Sequence, residues 1–221
     1  MSLEGLIDGV GLWAERHTRR DLAGRPALFL DRDGVIVEET HYLSRIEDIV
    51  MIPHMAEAIA LANASAIPVI VVTNQAGIAR GYYGWEDFAE VQAAIGTSLG
   101  AAGAKLDVVL ACGYHDVGSG PLAIADHPWR KPNCGMLDYA AKQHGIDLSR
   151  SWIIGDKVSD LSAGLKAGVA GGFLVKTGHG EVESQGMPLA QAPFVGKTFE
   201  CGIRDDAGVA IRELMSNHRL G

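Results

Sequence analysis

Short apolar runs alternate with amphipathic stretches along most of the chain. Ala27-Leu28-Phe29-Leu30, Ile67 to Val72, Leu106 to Ala111, Ser151 to Ile154 and Gly172 to Val175 are apolar almost throughout. Runs of this length, rich in Val and Ile, predict strands covered on both faces. Helical stretches lie between them. Met55 to Asn63 is Ala-rich, and Trp85 to Leu99 opens with Glu86 and Asp87, acidic residues suited to a helix N-terminus. Met136 to His144 stops at Gly145, and Val158 to Ala167 stops at Gly168, each a residue fit to end a helix. Strands alternating with helices predict an α/β fold: a parallel, Rossmann-like sheet with right-handed crossovers and helices on both faces.

The flanks carry a weaker pattern. Leu3, Leu6, Ile7, Val10 and Trp13 recur at helical spacing, which predicts an amphipathic helix. Residues 1–24 are therefore expected to form a helical extension packed on one domain spanning 25–221. A last helix is expected from Asp206 to Asn217. Residues 178–197 mix Gly, Pro and Gln and read as loop.

Composition narrows the classes. A chain of 221 residues can bury one sizeable core, and its 28 glycines suit many tight strand–helix turns. The formal net charge of −8 argues against nucleic acid as a partner. No apolar run approaches the about 20 residues that span a bilayer, so no membrane partner is expected. The first residues lack the basic-then-apolar order of a secretory signal. Three cysteines, Cys112, Cys134 and Cys201, make no disulfide framework. The expectation is a cytoplasmic protein, monomeric or a weak homodimer.

The chemistry sits where the apolar runs end. Asp31 and Asp33 follow the first run, Thr73 and Asn74 the second, and Asp156, Lys157 and Asp160 the run at Ile154. Arg130, Lys131 and Pro132 precede the helix at Met136. In a parallel sheet these ends share one edge, where open α/β sheets bind ligands. Asp33-Gly34 alone could be only a strand-end turn. Carboxylates, a hydroxyl and cations meeting at one edge suit a hard cation such as Mg²⁺ with a phosphate.

In this arrangement the chain resembles the haloacid dehalogenase (HAD) superfamily. Asp31-x-Asp33-Gly34, Thr73-Asn74, Lys131-Pro132 and Gly155-Asp156-Lys157-x-x-Asp160 are similar to its motifs, in order. The stretches around Phe29 to Gly34, Val72 to Gly81, Arg130 to Pro132 and Ile154 to Lys157 resemble the histidinol-phosphate and heptose-bisphosphate phosphatases. The Thr73 to Gly81 run resembles the heptose-bisphosphate branch more closely.

The resemblance implies a Mg²⁺-dependent phosphatase acting on a small sugar bisphosphate. It implies Asp31 as nucleophile, Asp33 as general acid and base, and Thr73 and Lys131 as groups that bind the phosphoryl oxygens. It implies Asp31, Asp33 and Asp156 as the Mg²⁺ ligands, Asp160 as their support, and Asn74, Arg130, Lys157 and Tyr42 as substrate contacts. The spans from Asp33 to Thr73 and from Thr73 to Lys131 leave room for little or no cap. Two other readings use the same residues: a phosphoacceptor signalling domain, which leaves Asp33 and the Asp156 run unexplained, and an inactive phosphate-binding module.

One stretch departs from the subgroup. Its members often carry a zinc loop of Cys-x-His and Cys-x-Cys ahead of the Arg-Lys-Pro motif. Here Tyr114 and Trp129 stand at ligand positions. Cys112, His115 and His127, with Cys134, remain as candidates for a tetrahedral zinc site. The expectation is that the loop has lost the metal.

Overall fold

The computed structural model describes residues 3–186, 193–194 and 197–220. The elements in chain order are β1 (Leu12–Arg16), β2 (Leu28–Leu30), α1 (Met55–Ala64), β3 (Val69–Asn74), α2 (Ala76–Ala79), α3 (Trp85–Ala101), β4 (Val108–Cys112), α4 (Gly135–His144), β5 (Trp152–Gly155), α5 (Val158–Ala167), β6 (Gly171–Val175), α6 (Gly180–Gly186), β7 (Pro193–Phe194), β8 (Lys197–Thr198), β9 (Glu200–Arg204) and α7 (Ala207–Ser216). Seven strands form one sheet in the order β1-β4-β3-β2-β5-β6-β9. From β4 to β9 the neighbours are parallel.

Strand alternation sends side chains to two buried layers. Leu28, Leu30, Val69, Val71 and Ile154 pack under α1, α3 and α7. Phe29, Ile70, Val72, Leu110 and Ile153 pack under α4 and α5. Both faces are therefore covered, which is why the central strands are apolar until the polar residues at the end of β3. Between β2 and β3 the only helices are a 3₁₀ turn at Ile46–Asp48 and α1, and between β3 and β4 only α2 and α3. No cap domain interrupts either span.

The N-terminal segment differs from expectation: its described residues form turns and the strand β1, not a helix. Asp8 Oδ1 accepts hydrogen bonds from the amides of Val10, Gly11 and Leu12 at 3.0, 2.9 and 2.9 Å, closing a turn. The chain folds back so that Leu6 pairs with Trp13. A Cβ on Gly5 would lie 2.3 Å from the Trp13 indole, so the close return needs glycine there. β1 then adds antiparallel to β4, with Leu12 opposite Cys112 and Arg16 opposite Val108. Trp13 enters the α3 layer, stacked on Trp85 with ring centroids 5.7 Å apart.

The loop expected over 178–197 is corrected in part. Gly180–Gly186 is helical, and the Glu183 carboxylate accepts from the Val158 amide at 3.0 Å, tying α6 to the start of α5. β7 and β8 pair antiparallel. Residues 187–192 and 195–196 lie outside the described residues. The C-terminal helix is present as α7, capped by Asp206 through the Val209 amide.

Candidate active site

The carboxyl ends of β2, β3 and β5 open into one cleft of about 730 Å³. Asp31 leaves β2, and its amide donates to the Ile154 carbonyl at 3.0 Å, so the strand pairing itself fixes the residue. Lys131 arrives from the loop before α4. Its Nζ lies 3.1 Å from Asp31 Oδ1 and 2.6 Å from Asp160 Oδ1, and donates to the Val72 carbonyl at 2.7 Å. The ammonium is buried, which opposes its charge, but Asp160 and then Asp31 outweigh burial and hold Lys131 above its ordinary range.

Asp156 follows β5 and is fully buried. Its Oδ2 accepts from the His179 amide at 2.8 Å, while Oδ1 has no partner among the described residues. Burial and then the charge of Asp31 push its carboxyl above the usual range, with Lys157 opposing. Oxygens of Asp31, Asp156 and Asp160 lie within 4.8 Å of one another. Gly34 (φ +78°) and Gly178 (φ +59°) flank this group, and a Cβ on either would stand 2.5 or 2.4 Å from Asp156 Oδ2. An orphaned buried carboxylate oxygen, a set of hard oxygen donors and bare backbone on both sides fit a divalent cation such as Mg²⁺.

Thr73 is the penultimate residue of β3, with its side chain buried beside the cleft. Its Oγ1 accepts from Gln75 Nε2 at 2.8 Å, which leaves the hydroxyl proton available to another acceptor. Asn74 lines the cleft, and its side chain also bonds the neighbouring loop. Its Oδ1 accepts from the Lys131 amide at 3.1 Å and its Nδ2 donates to the Lys131 carbonyl at 2.9 Å. The side chain thus pins the loop that carries Lys131. Arg130 lines the cleft and donates to the Tyr114 carbonyl at 3.1 Å. Lys157 lies 3.8 Å from Glu39 on the rim. Tyr42 also lines the cleft, in left-handed conformation (φ +68°), and its hydroxyl accepts from Arg80 Nη1 at 2.6 Å.

Three groups were not anticipated from the sequence. Arg32 is 1 % exposed, and its Nη2 lies 2.9 Å from Asp33 Oδ1. Gln75 Nε2 donates to Asp33 Oδ2 at 3.1 Å, and Tyr83 donates to Gln75 Oε1 at 2.5 Å. Gln75 stands within the Thr73 to Gly81 run and Arg32 between the two aspartates, but nothing in a single sequence says that a polar side chain is buried.

The zinc candidates do not gather. Cys112 is buried in the α4–α5 layer. His115 Nδ1 accepts from the Val117 amide, and His127 Nδ1 from the Trp129 amide. The His127 ring stacks on Tyr114 with centroids 4.2 Å apart. Cys134 Sγ donates to Asp138. Among the described residues, the groups that bring three ligand atoms together are Asp31, Asp156 and Asp160, and Glu39, Asp156 and His179. Aromatic stacking and local hydrogen bonds hold this loop.

The sheet order and the strand-end carboxylates define a HAD-type phosphoric monoester hydrolase. A HAD-hydrolase-like family model matches residues 128–199. A D-glycero-beta-D-manno-heptose-1,7-bisphosphate 7-phosphatase of Mesorhizobium japonicum is 54% identical over 166 residues, 75% of this chain and 76% of the relative. A D-glycero-D-manno-heptose-1,7-bisphosphate 7-phosphatase of Thermosynechococcus vestitus is 41% identical over 186 residues, 81% of this chain and 94% of the relative. The solved structure of D,D-heptose 1,7-bisphosphate phosphatase from B. bronchiseptica, complexed with magnesium and phosphate, is 25% identical, with a TM-score of 0.74 over 87% of this chain and 99% of that one. The chain belongs to the heptose-1,7-bisphosphate 7-phosphatase family of HAD-like hydrolases.

Proposed function

We propose that this protein hydrolyses the 7-phosphate of D-glycero-D-manno-heptose 1,7-bisphosphate through an aspartyl phosphate on Asp31. The observation that carries the reading is the meeting of Asp31 with Lys131 and Asp156 at one cleft. Two carboxylates and one ammonium around a single point suit a phosphoryl group better than any apolar ligand.

Asp31 attacks phosphorus. The bond from its oxygen to phosphorus forms as the bond to the sugar oxygen breaks. The electron pair stays on the sugar oxygen, which takes a proton from Asp33. Water then attacks the same phosphorus, the bond to Asp31 breaks, and the water proton passes to Asp33. Each cycle therefore returns both aspartates to their starting state. Like charges oppose the first attack. The Lys131 ammonium and the Thr73 hydroxyl offset this by stabilising the equatorial oxygens. Asp31, Asp156 and the Asp33 carbonyl would hold Mg²⁺, with Asp160 holding Lys131 alongside. The bound cation supplies charge neutralisation and orientation of the phosphoryl group. Arg130 and Lys157 on the rim suit the second phosphate, and Tyr42 suits the sugar ring.

The test is a phosphate-release screen with Mg²⁺ across heptose 1,7-bisphosphate, histidinol phosphate and nucleotides. The heptose bisphosphate is expected to give the highest kcat/KM. A clear preference for histidinol phosphate or a nucleotide would overturn the substrate assignment.

A further inference from the structure

We propose that Arg32 is a positioning residue that holds the Asp33 carboxylate for proton transfer; this rests on the reading of Asp33 given above. Arg32 separates the two aspartates in sequence, and its side chain is buried in the wall of the cleft. Its guanidinium is buried, lies over the Phe88 ring at 5.3 Å, and grips Asp33 through Nε to both oxygens at 3.1 Å and through Nη2 at 2.9 Å.

A guanidinium cannot shed its charge at this depth, so it needs the carboxylate as partner. The planar fork also fixes direction, which a lysine ammonium would not. Gln75 closes the arrangement. Its Nε2 donates to Asp33 Oδ2 and to Thr73 Oγ1, and its Oε1 accepts from Arg32 Nη2 at 3.2 Å and from Tyr83. All four bonding positions of the amide are used, and a flipped amide would face the Arg32 donor with another donor. Asp33 is thereby held at both oxygens, with 17% of its side chain still exposed. Phe88 packs edge-on against Trp13 and Trp85, so the platform under Arg32 belongs to the core rather than to a mobile loop.

A misplaced proton donor penalises a poor leaving group and spares a good one. The experiment measures kcat/KM for heptose 1,7-bisphosphate and for p-nitrophenyl phosphate, whose phenolate leaves with little need of a proton. Asp33→Ala, the reference, is expected to lose much more on the sugar phosphate than on the aryl phosphate. Arg32→Lys, which keeps the charge and loses the fork, is expected to show the same bias, about tenfold or more between the two substrates. Its KM for p-nitrophenyl phosphate is expected to stay within about twofold of the parent. Equal losses on both substrates, or none, would overturn the assignment of Arg32. Should Asp33→Ala itself show no bias, the proton-donor reading falls first, and this inference with it. If Arg32→Lys does not fold, Gln75→Leu gives the same ratio, because any effect through Thr73 is common to both substrates.

Discussion

Lys131 Nζ lies 3.1 Å from Asp31 Oδ1, although the two residues leave different elements on opposite sides of β3 in the sequence. The contact exists because the parallel order delivers both to the same edge. Asp160 completes it at 2.6 Å. Lys131→Met leaves two buried carboxylates without their cation. Breaking such a buried pair typically costs about 3–5 kcal/mol. The variant is expected to unfold at lower urea and to lose about 100-fold or more in kcat. Unchanged kcat in a folded Lys131→Met protein would remove Lys131 from the chemistry.

Gly34 tests the metal site without replacing a ligand. Its φ is +78° and a Cβ would meet Asp156 Oδ2 at 2.5 Å. Gly103 has nearly the same φ, +77°, but open space around it. Ala at either position carries the cost of left-handed backbone, about 1–3 kcal/mol. Only Gly34→Ala is expected to weaken Mg²⁺ binding by calorimetry, because only there must Asp156 move. Equal Mg²⁺ affinity in the two variants would argue that Asp156 does not hold the cation.

Trp13 carries the correction at the N-terminus. The indole is 3% exposed, stacked on Trp85 and edge-on to Phe88. Trp13→Ala is expected to destabilise the fold by about 3–5 kcal/mol in urea denaturation, as for other buried aromatics. A surface helix at this position would give a much smaller loss.

Glu213 supplies a pH-dependent contribution. The Arg204 guanidinium holds its carboxyl below the ordinary value, with Arg204 Nη2 to Glu213 Oε1 at 2.6 Å. A depressed carboxyl stabilises the fold above its unfolded pKa, and the gain disappears as pH falls through the folded one. Both side chains are partly exposed, so the pair contributes about 1 kcal/mol or less. Glu213→Gln should lower Tm at pH 7, and the two proteins should converge below about pH 4. A gap that persists in acid would mean that packing, not charge, is lost.

The central strands were legible because burial on both faces leaves a continuous apolar run, and the reactive residues were legible because they interrupt it. β1 was not. The apolar residues from Leu3 to Trp13 satisfy helical spacing by coincidence, and the decisive signals were elsewhere: Asp8-Gly9 for the turn, and glycine at 5 where the indole returns. β9 went unseen because an edge strand stays half-exposed, and Glu200-Cys201-Gly202 shows no apolar run. α6 is short and begins at Gly180, so tertiary contacts rather than propensity make it. Asn74 shows the limit within the site: its type and place were readable, but its bonds to the Lys131 backbone depend on where a distant loop lands.

The nucleophile can be read chemically. Borohydride reduces an acyl phosphate and leaves homoserine in place of the aspartate that carried it. Enzyme quenched during turnover of heptose 1,7-bisphosphate with Mg²⁺, reduced and mapped by mass spectrometry is expected to carry that mark at Asp31 alone, and the Asp31→Asn protein is expected to fold, carry no mark and release no phosphate. A mark on another carboxylate, or full phosphate release by Asp31→Asn, would contradict the account.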